Sequence, residues 1–197
     1  MSVIKTKKYP FFPYDFSEIK RYCRCGDESE NIINECIDLI GDKLDFSVVY
    51  RELELKISNN VCDFEGVKVY SKNLSDNLSG CDKAVLFCCT IGLEVDRLIC
   101  KYSRLSQVKS VILQGIGAER VERLANVFNK EISLDSPFGT KPRFSPGFGD
   151  LPLSFQKDVF ALLECEKKIG VTLNNSYLMT PSKSVTAIIG VKNGSKI

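Results

Sequence analysis

The sequence predicts a single α+β domain in which a mixed or antiparallel sheet packs against helices, and three stretches carry this prediction. Residues 61–70 alternate apolar and polar side chains around a Glu-Gly turn, as a β-hairpin does. Residues 83–90 are nearly all apolar, which is typical of a buried strand. Residues 106–132 repeat apolar side chains at helical spacing over a length typical of a long helix.

The chain is long enough for one substantial hydrophobic core, since it has 197 residues. No composition change marks a boundary between independent domains. We expect a helical N-terminal part at residues 1–45 and an α+β body at residues 46–197, both within the single domain.

Two short helices are predicted in the N-terminal part, after an aromatic, proline-broken lead-in at residues 9–16. Asp15 or Ser17 suits the cap of the first helix, because a side-chain oxygen there accepts from the first unpaired N–H groups. Gly41 suits the end of the second. The predicted elements in order are helices at 15–25 and 27–40, a strand at 46–57, the hairpin at 61–70, a polar loop or capped turn at 71–82, the buried strand at 83–90, helices at 93–103, 106–132 and 154–168, and strands at 171–179 and 184–191.

Two finer predictions concern the helices of the body. Ser154 is expected to cap the helix that follows the proline-rich loop at residues 133–153. The apolar face of the long helix is assigned to Val108, Ile112, Ile116, Val121, Leu124 and Phe128.

Composition and charge exclude several classes of function. With 44% apolar and 26% charged residues and a net charge of +2, the chain resembles an ordinary globular protein and gives no reason to expect nucleic acid. The basic run at residues 5–8 is short and is expected to be solvated. No apolar run reaches membrane-spanning length and the N-terminus lacks a signal-peptide core, so we expect no membrane partner and a cytoplasmic location.

The side chains available for chemistry are few. The chain has nine cysteines and no histidine, so Ser-His-Asp and Cys-His mechanisms and histidine metal sites are excluded. Without an export signal, the cysteines are expected to be mostly free thiols in a reducing cytosol. No metal site and no catalytic residue are therefore assigned.

Three motifs that resemble functional sites have simpler interpretations. Residues 115–120 (GIGAER) begin like a dinucleotide-binding loop, but an arginine replaces the third glycine and the stretch is helical in pattern, which favours helix packing through small residues. Cys88 and Cys89 suit small apolar positions in the buried strand. Lys183 and Ser184 could form a nucleophile pair, but a hairpin turn is the better interpretation.

Residues 143–150 (RFSPGFGD) form the best candidate site. Pro146 and Gly147 are strong turn residues, and a glycine lets backbone N–H groups approach a ligand closely. Arg143 offers a guanidinium suited to a carboxylate or phosphate. Phe144 and Phe148 add flat apolar faces. The loop is therefore predicted to bind a small molecule with an acidic end and a planar end, or else to be a surface turn before a helix.

Several segments of the C-terminal third follow the order of a known family. They are RFSPGFGDLP at residues 143–152, LLECEK at 162–167, Gly170, and SYLMTPSKSV at 176–185. The family pattern is Arg-x-x-Pro-Gly-Tyr, a helix, then Ser-x-x-Met-x-Pro-x-x-Ser-Val. The chain thus resembles the S-adenosylmethionine-binding activation domain of vitamin B12-dependent methionine synthase. Residues 84–92 and 121–125 resemble the strand and long helix of its small stand-alone members, so the resemblance covers most of the chain.

The resemblance implies an accessory role in corrinoid methyl transfer. Such a domain holds S-adenosylmethionine near the cobalamin of a partner protein, while a donor such as flavodoxin supplies the electron that reactivates the oxidised cofactor. Carried over from the family, Arg143 would pair with the ligand carboxylate, and Ser145 and Gly147 would offer backbone hydrogen bonds. Phe148 replaces the family tyrosine and keeps its flat face, and Asp15 matches an acidic ligand contact.

Two positions depart from the family pattern, and they motivate an alternative. An aromatic residue of the last strand appears here as Ile189, and an acidic residue of the long helix falls at Lys130, or at Glu131 after a one-residue shift. The alternative is a non-catalytic module of the same fold that docks a corrinoid protein without binding S-adenosylmethionine. A third hypothesis is a redox protein that uses Cys88 and Cys89.

Overall fold

Six strands form one antiparallel sheet in the computed structural model, which describes residues 2–192. The strands are β1 (Lys5–Lys8), β2 (Ser47–Ser58), β3 (Val61–Phe64), β4 (Val67–Tyr70), β5 (Cys81–Thr90) and β8 (Ser184–Lys192), and a separate two-stranded hairpin is made of β6 (Thr172–Leu173) and β7 (Met179–Thr180). The strand order is β4-β3-β2-β5-β8, and β1 pairs with β2 beside β3. Strand β2 has 12 residues, and this length lets its first half pair with β1 and its second half with β3.

Seven α-helices cover the two faces of the sheet within the described residues. They are α1 (Phe16–Cys23), α2 (Glu30–Ile40), α3 (Lys72–Asn77), α4 (Glu94–Leu105), α5 (Gln107–Asp135), α6 (Gln156–Leu163) and α7 (Cys165–Ile169). Single 3₁₀ turns at Asp27–Ser29 and Leu153–Phe155 precede α2 and α6. Within this part of the chain, no helix combines the length and apolar character needed to cross a membrane.

Strand β5 divides the core into two layers because its side chains alternate between the faces of the sheet. Phe87 and Cys89 pack with α1, α2, α4 and α5 on one face. Leu86 and Cys88 pack with α3, α6 and α7 on the other. All four side chains are fully buried, so β5 is covered on both sides.

A buried arginine ties the N-terminal lead-in to α5. Arg120 donates to the backbone carbonyls of Phe12 (2.5 Å) and Pro13 (2.9 Å) and forms an ion pair with its neighbour Glu119. Its guanidinium also lies 4.1 Å from the ring centroid of Tyr14. Because the charge is paired and hydrogen-bonded, its burial is tolerated. The GIGAER stretch is thus a helix-packing segment, as predicted.

The α+β class and most elements are confirmed, with boundaries close to those predicted. The N-terminal part is not wholly helical, since its basic residues 5–8 form β1. Val108 does not belong to the apolar face of the long helix: it lies in the first turn of α5, beside the corner at Ser106, and is 58% exposed.

Two further corrections lie in the C-terminal third. The predicted helix 154–168 is two helices, because Glu164 takes a left-handed conformation (φ 51°) that ends α6 and starts α7, and Ser154 lies in the 3₁₀ turn without capping it. The predicted strand 171–179 is a hairpin. It bends because Oδ1 of Asn174 accepts from the backbone N–H groups of Ser176 and Leu178, both at 2.9 Å.

Candidate functional site

A cavity of about 730 Å³ opens beside the start of β8. The site loop (residues 143–150) forms one wall and the hairpin segment 174–186 forms another. Helix α5 contributes Glu122, and α6 contributes Gln156. The cavity therefore collects side chains from both helical layers and from the edge of the sheet between them.

The site loop is attached to the edge of the sheet at its start. Phe144 and Ile188 exchange two backbone hydrogen bonds, N–H of Phe144 to O of Ile188 (2.9 Å) and the reverse (2.8 Å). This bridge places the loop alongside β8. Inside the loop, the N–H of Gly147 donates to the carbonyl of Leu151 (2.9 Å). The φ of +91° at Gly147 explains why glycine suits this turn.

At its other end, the site loop is fixed to α3 by Asp150. The Asp150 carboxylate accepts from the Ser71 hydroxyl and from the backbone N–H groups of Lys72 (2.8 Å) and Asn73 (3.1 Å). The hydrogen bond from Ser71, with those from the two N–H groups, lowers the pKa of Asp150. An exposed carboxylate thus caps a helix whose bound groups lie 77 to 79 residues earlier in the chain.

Arg143 lies in the cavity wall but already has partners in the protein. Its Nη2 donates to Oε2 of Glu122 (2.5 Å) and its Nη1 donates to Oδ1 of Asn126 (2.6 Å). Its side chain is 24% exposed and that of Glu122 is 37% exposed. These contacts use two of the five N–H groups of a guanidinium, so the cavity presents a cation and an anion side by side.

The structure brings together three of the five predicted site residues. Arg143, Ser145 and Phe148 all line the cavity. Gly147 does not line it, and its N–H is already satisfied by Leu151, so donation to a ligand would require that bond to break.

Asp15, the fifth predicted residue, is the N-cap of α1. Its carboxylate accepts from the N–H groups of Ser17 (3.1 Å) and Glu18 (3.2 Å), and the hydrogen bond from the Ser17 hydroxyl is the main cause of its lowered pKa. It lines a second, polar depression of about 360 Å³ that shares Glu122 with the main cavity. Asp15 therefore lies next to the main cavity and outside its wall.

Several residues that line the cavity were not assigned to the site from the sequence, and Glu122, Gln156 and Tyr177 are three of them. Tyr177 adopts a φ of 62° in the turn made by Asn174. The Asn-Asn-Ser run before it is turn chemistry that could have signalled the hairpin. Nothing in the local sequence distinguishes Glu122 or Gln156 from other polar residues of a helix.

The two departures from the family pattern lie away from the cavity. Ile189 is fully buried in the core between the sheet and α5. Lys130 is exposed. Glu131 accepts from Lys7 (2.5 Å) and from the hydroxyl of Tyr9 (2.6 Å) at the N-terminal strand. The acidic residue that α5 places in the cavity is Glu122, whereas Lys130 and Glu131 do not line it.

The remaining candidates for chemistry are structural. Cys88 and Cys89 are fully buried. Burial raises the pKa of Cys89 to about 12, and a hydrogen bond with Cys165 together with burial raises that of Cys88. Lys183 donates to Oε1 of Gln114 (2.5 Å), whereas the Ser184 hydroxyl bonds to Thr90 and to the carbonyl of Pro181. The two do not form a nucleophile pair.

Comparisons with known proteins concern the C-terminal third of the chain and its overall fold. A family model described as "Vitamin B12 dependent methionine synthase, activation domain" matches residues 138–197. Among solved structures, "Crystal Structure of the MetH Reactivation Domain bound to AdoHcy" is similar with a TM-score of 0.73 and 14% identity, covering 99% of this chain and 80% of that one. No curated protein matches the chain significantly. The resemblance is confirmed: the chain has the fold of the MetH reactivation domain, and its residues 138–197 match the activation-domain family of vitamin B12-dependent methionine synthase.

Proposed function

We propose that the chain binds S-adenosylmethionine in the cavity and serves as an accessory subunit for the reductive reactivation of a cobalamin-dependent methionine synthase or a related corrinoid methyltransferase. The observation that carries this proposal is the ion pair between Arg143 and Glu122 in the wall of a large cavity. Arg143 lies on the site loop, which is within the residues that the activation-domain family model matches. The cobalamin would be held by a partner protein, and flavodoxin or another donor would supply the electron.

The charged pair suits the amino-acid end of this ligand. An amino-acid zwitterion carries a carboxylate and an ammonium on one carbon, and Arg143 and Glu122 present the complementary charges 2.5 Å apart. The ligand carboxylate would take N–H groups of Arg143, and the ammonium would approach Glu122. A volume of about 730 Å³ lies within the usual range for small-molecule sites.

In this role the protein mainly has to position the bound methyl donor. Bound S-adenosylmethionine would supply a methyl group already activated as a sulfonium, so no general acid or base is required. Ser145 offers the ligand a hydroxyl, and Phe144 and Phe148 offer flat apolar faces. The cavity is open, which allows a methyl group held in it to face a docked partner.

The mouth of the cavity supports docking of a corrinoid protein there. Phe148, Leu153 and Leu178 line the cavity and are 65%, 42% and 62% exposed. Burying exposed apolar side chains of this kind favours association. Docking at the mouth would bring the partner's corrinoid next to the methyl donor.

The alternative function, docking without S-adenosylmethionine, rests on the departures from the family pattern at Ile189 and Lys130. Neither residue lines the cavity, so neither departure would remove a contact from a ligand bound there. Capture of a cobalamin-binding partner by a chain that shows no affinity for S-adenosylmethionine would favour this alternative.

Calorimetric titration of S-adenosylmethionine tests the proposal, with Arg143→Ala as the variant. Loss of a charge-assisted contact should weaken binding by about 1.5–3 kcal/mol, roughly 10- to 150-fold. Arg104→Ala, an exposed arginine outside the cavity, is the matched control and should bind like wild type. Absence of both heat and thermal stabilisation in wild type at millimolar ligand would contradict the proposal.

A further inference from the structure

Gln156 is a buried polar side chain for which the described fold provides no partner. It is only 4% exposed, yet it lines the cavity. Among residues 2–192, neither its carboxamide oxygen nor its nitrogen takes part in a hydrogen bond, and neither atom is fully sealed from solvent. The small exposed part of the Gln156 side chain therefore faces the cavity. Buried carboxamides normally have partners, so this one is available to a ligand.

The position of Gln156 relative to the charged pair is fixed by the two-layered core. Glu122 and the Arg143 guanidinium belong to the α5 side of the sheet. Gln156 begins α6, which packs on the opposite face. The cavity runs past the sheet edge at Ser184 and connects these two sides. A ligand whose charged end contacts Arg143 would therefore extend its other end towards Gln156.

We propose that Gln156 is a specificity-determining residue that recognises the base of the ligand, an adenine in the case of S-adenosylmethionine. This inference rests on the proposed function, which places the amino-acid end at Arg143. A carboxamide has a donor and an acceptor in one plane, and it pairs with the amino group and an adjacent ring nitrogen of adenine. The aromatic side chains Phe148 and Tyr177 in the same cavity suit a planar heterocycle.

The stability of a Gln156 variant separates this role from a structural one. A side chain kept for packing or internal hydrogen bonding would destabilise the fold when replaced. In Gln156→Met, which has similar length and no carboxamide, the unpaired polar group is removed. We therefore expect a thermal midpoint equal to or above that of wild type, together with weaker ligand binding.

The decisive experiment is a thermodynamic cycle that combines one substitution in the protein with one change in the ligand, and calorimetry measures the binding. The two ligands are S-adenosylhomocysteine and its analogue without the 6-amino group, and the two proteins are wild type and Gln156→Met. Wild type should bind S-adenosylhomocysteine at least about tenfold more tightly than the analogue without the amino group, and Gln156→Met should bind the two ligands with about equal affinity. Gln156→Glu, which keeps an acceptor for the amino group, should retain a preference for the amino compound.

Each outcome of the cycle is informative. If Gln156→Met discriminates between the two ligands as strongly as wild type, or if wild type does not discriminate, the role of Gln156 is overturned while the proposed function stands. If wild type binds neither ligand nor S-adenosylmethionine at millimolar concentration, the proposed function and this inference are both overturned. Should Gln156→Met be poorly folded, the loss of preference is tested with Gln156→Leu and the retained preference with Gln156→Glu.

Discussion

The carboxylate of Asp150 shows how one exposed residue can organise a site that it does not line. It accepts three hydrogen bonds from the N-terminus of α3, including two backbone N–H groups of a helix with few turns of its own. At the opposite end of the loop, Arg143 is held by Glu122 and Asn126 on α5. The loop is thus fixed at both ends before any ligand arrives, which lowers the ordering cost of binding.

We predict that Asp150→Asn loosens the site loop and removes a pH-dependent part of the stability. Hydrogen bonds lower the pKa of Asp150 in the folded protein. Its contribution is therefore present above the unfolded pKa of about 3.9 and is lost as pH falls through the lower folded value. The thermal midpoints of wild type and Asp150→Asn should differ at neutral pH, and the difference should shrink as pH falls below the unfolded pKa and through the lower folded pKa of Asp150.

Hydrogen exchange measures the local part of this prediction. Amides of residues 143–150 should exchange faster in Asp150→Asn, while those of β5 stay protected. Asp42→Asn changes an exposed aspartate that has no hydrogen bond or ion pair within residues 2–192, so it is a matched control and should change neither observable. A pH-independent difference between Asp150→Asn and wild type would contradict the assigned role.

At the scale of elements, α1 and α5 approach each other closely at Gly115. A Cβ atom on Gly115 would lie 2.1 Å from Sγ of Cys23 and 3.4 Å from the backbone oxygen of Ile19. Gly115 is buried, and the Cys23 thiol points at carbonyls of α5. The two helices therefore depend on a residue without a side chain at their crossing.

We predict that Gly115→Ala destabilises the protein by about 1–3 kcal/mol, as overpacking of a tight core does. Adding Cys23→Ala should recover part of the loss, because it removes the clashing sulfur. Gly117→Ala is a comparison that does not involve Cys23: its Cβ would meet Cε of Lys183 and Cγ1 of Val95, both at 2.9 Å. Urea denaturation measures all three, and equal losses for Gly115→Ala with and without Cys23→Ala would refute the explanation.

The elements that could be predicted are those with a long period or strong punctuation. The 29 residues of α5 and the 10 residues of β5 have clear patterns, and Gly41 ends α2 as expected. The break at Glu164 and the hairpin at Asn174 were missed because each depends on one residue: Glu164 takes a left-handed conformation, and the Asn174 side chain accepts two backbone hydrogen bonds. Such local events leave the apolar periodicity nearly unchanged.

At the scale of the whole molecule, the site could be predicted only in part, since its walls come from distant segments. Arg143, Ser145 and Phe148 lie on one loop with recognisable chemistry. Glu122 and Gln156 meet them only because α5 and α6 cover opposite faces of the same sheet. That juxtaposition is a property of the fold, and no local spacing in the sequence encodes it.

The nine cysteine thiols differ in how deeply they lie in this two-layered core. Cys100 is exposed, whereas Cys36, Cys62, Cys88, Cys89 and Cys165 are buried in the core. A thiol reagent needs an accessible thiolate, and burial both hides Cys89 and raises its pKa to about 12. The buried thiols can therefore react only when the sheet and its helices separate.

We predict that Ellman's reagent labels Cys100 rapidly in the native protein and the five buried thiols at least about 1,000-fold more slowly, because a stable core opens rarely. Cys100→Ser should remove one thiol from the fast phase, and denaturant should release the slow phase. Mass spectrometry of the labelled peptides assigns each phase. Rapid labelling of Cys88 and Cys89 would mean that the core is open to solvent, and it would revive the redox hypothesis at the expense of the ligand-binding one.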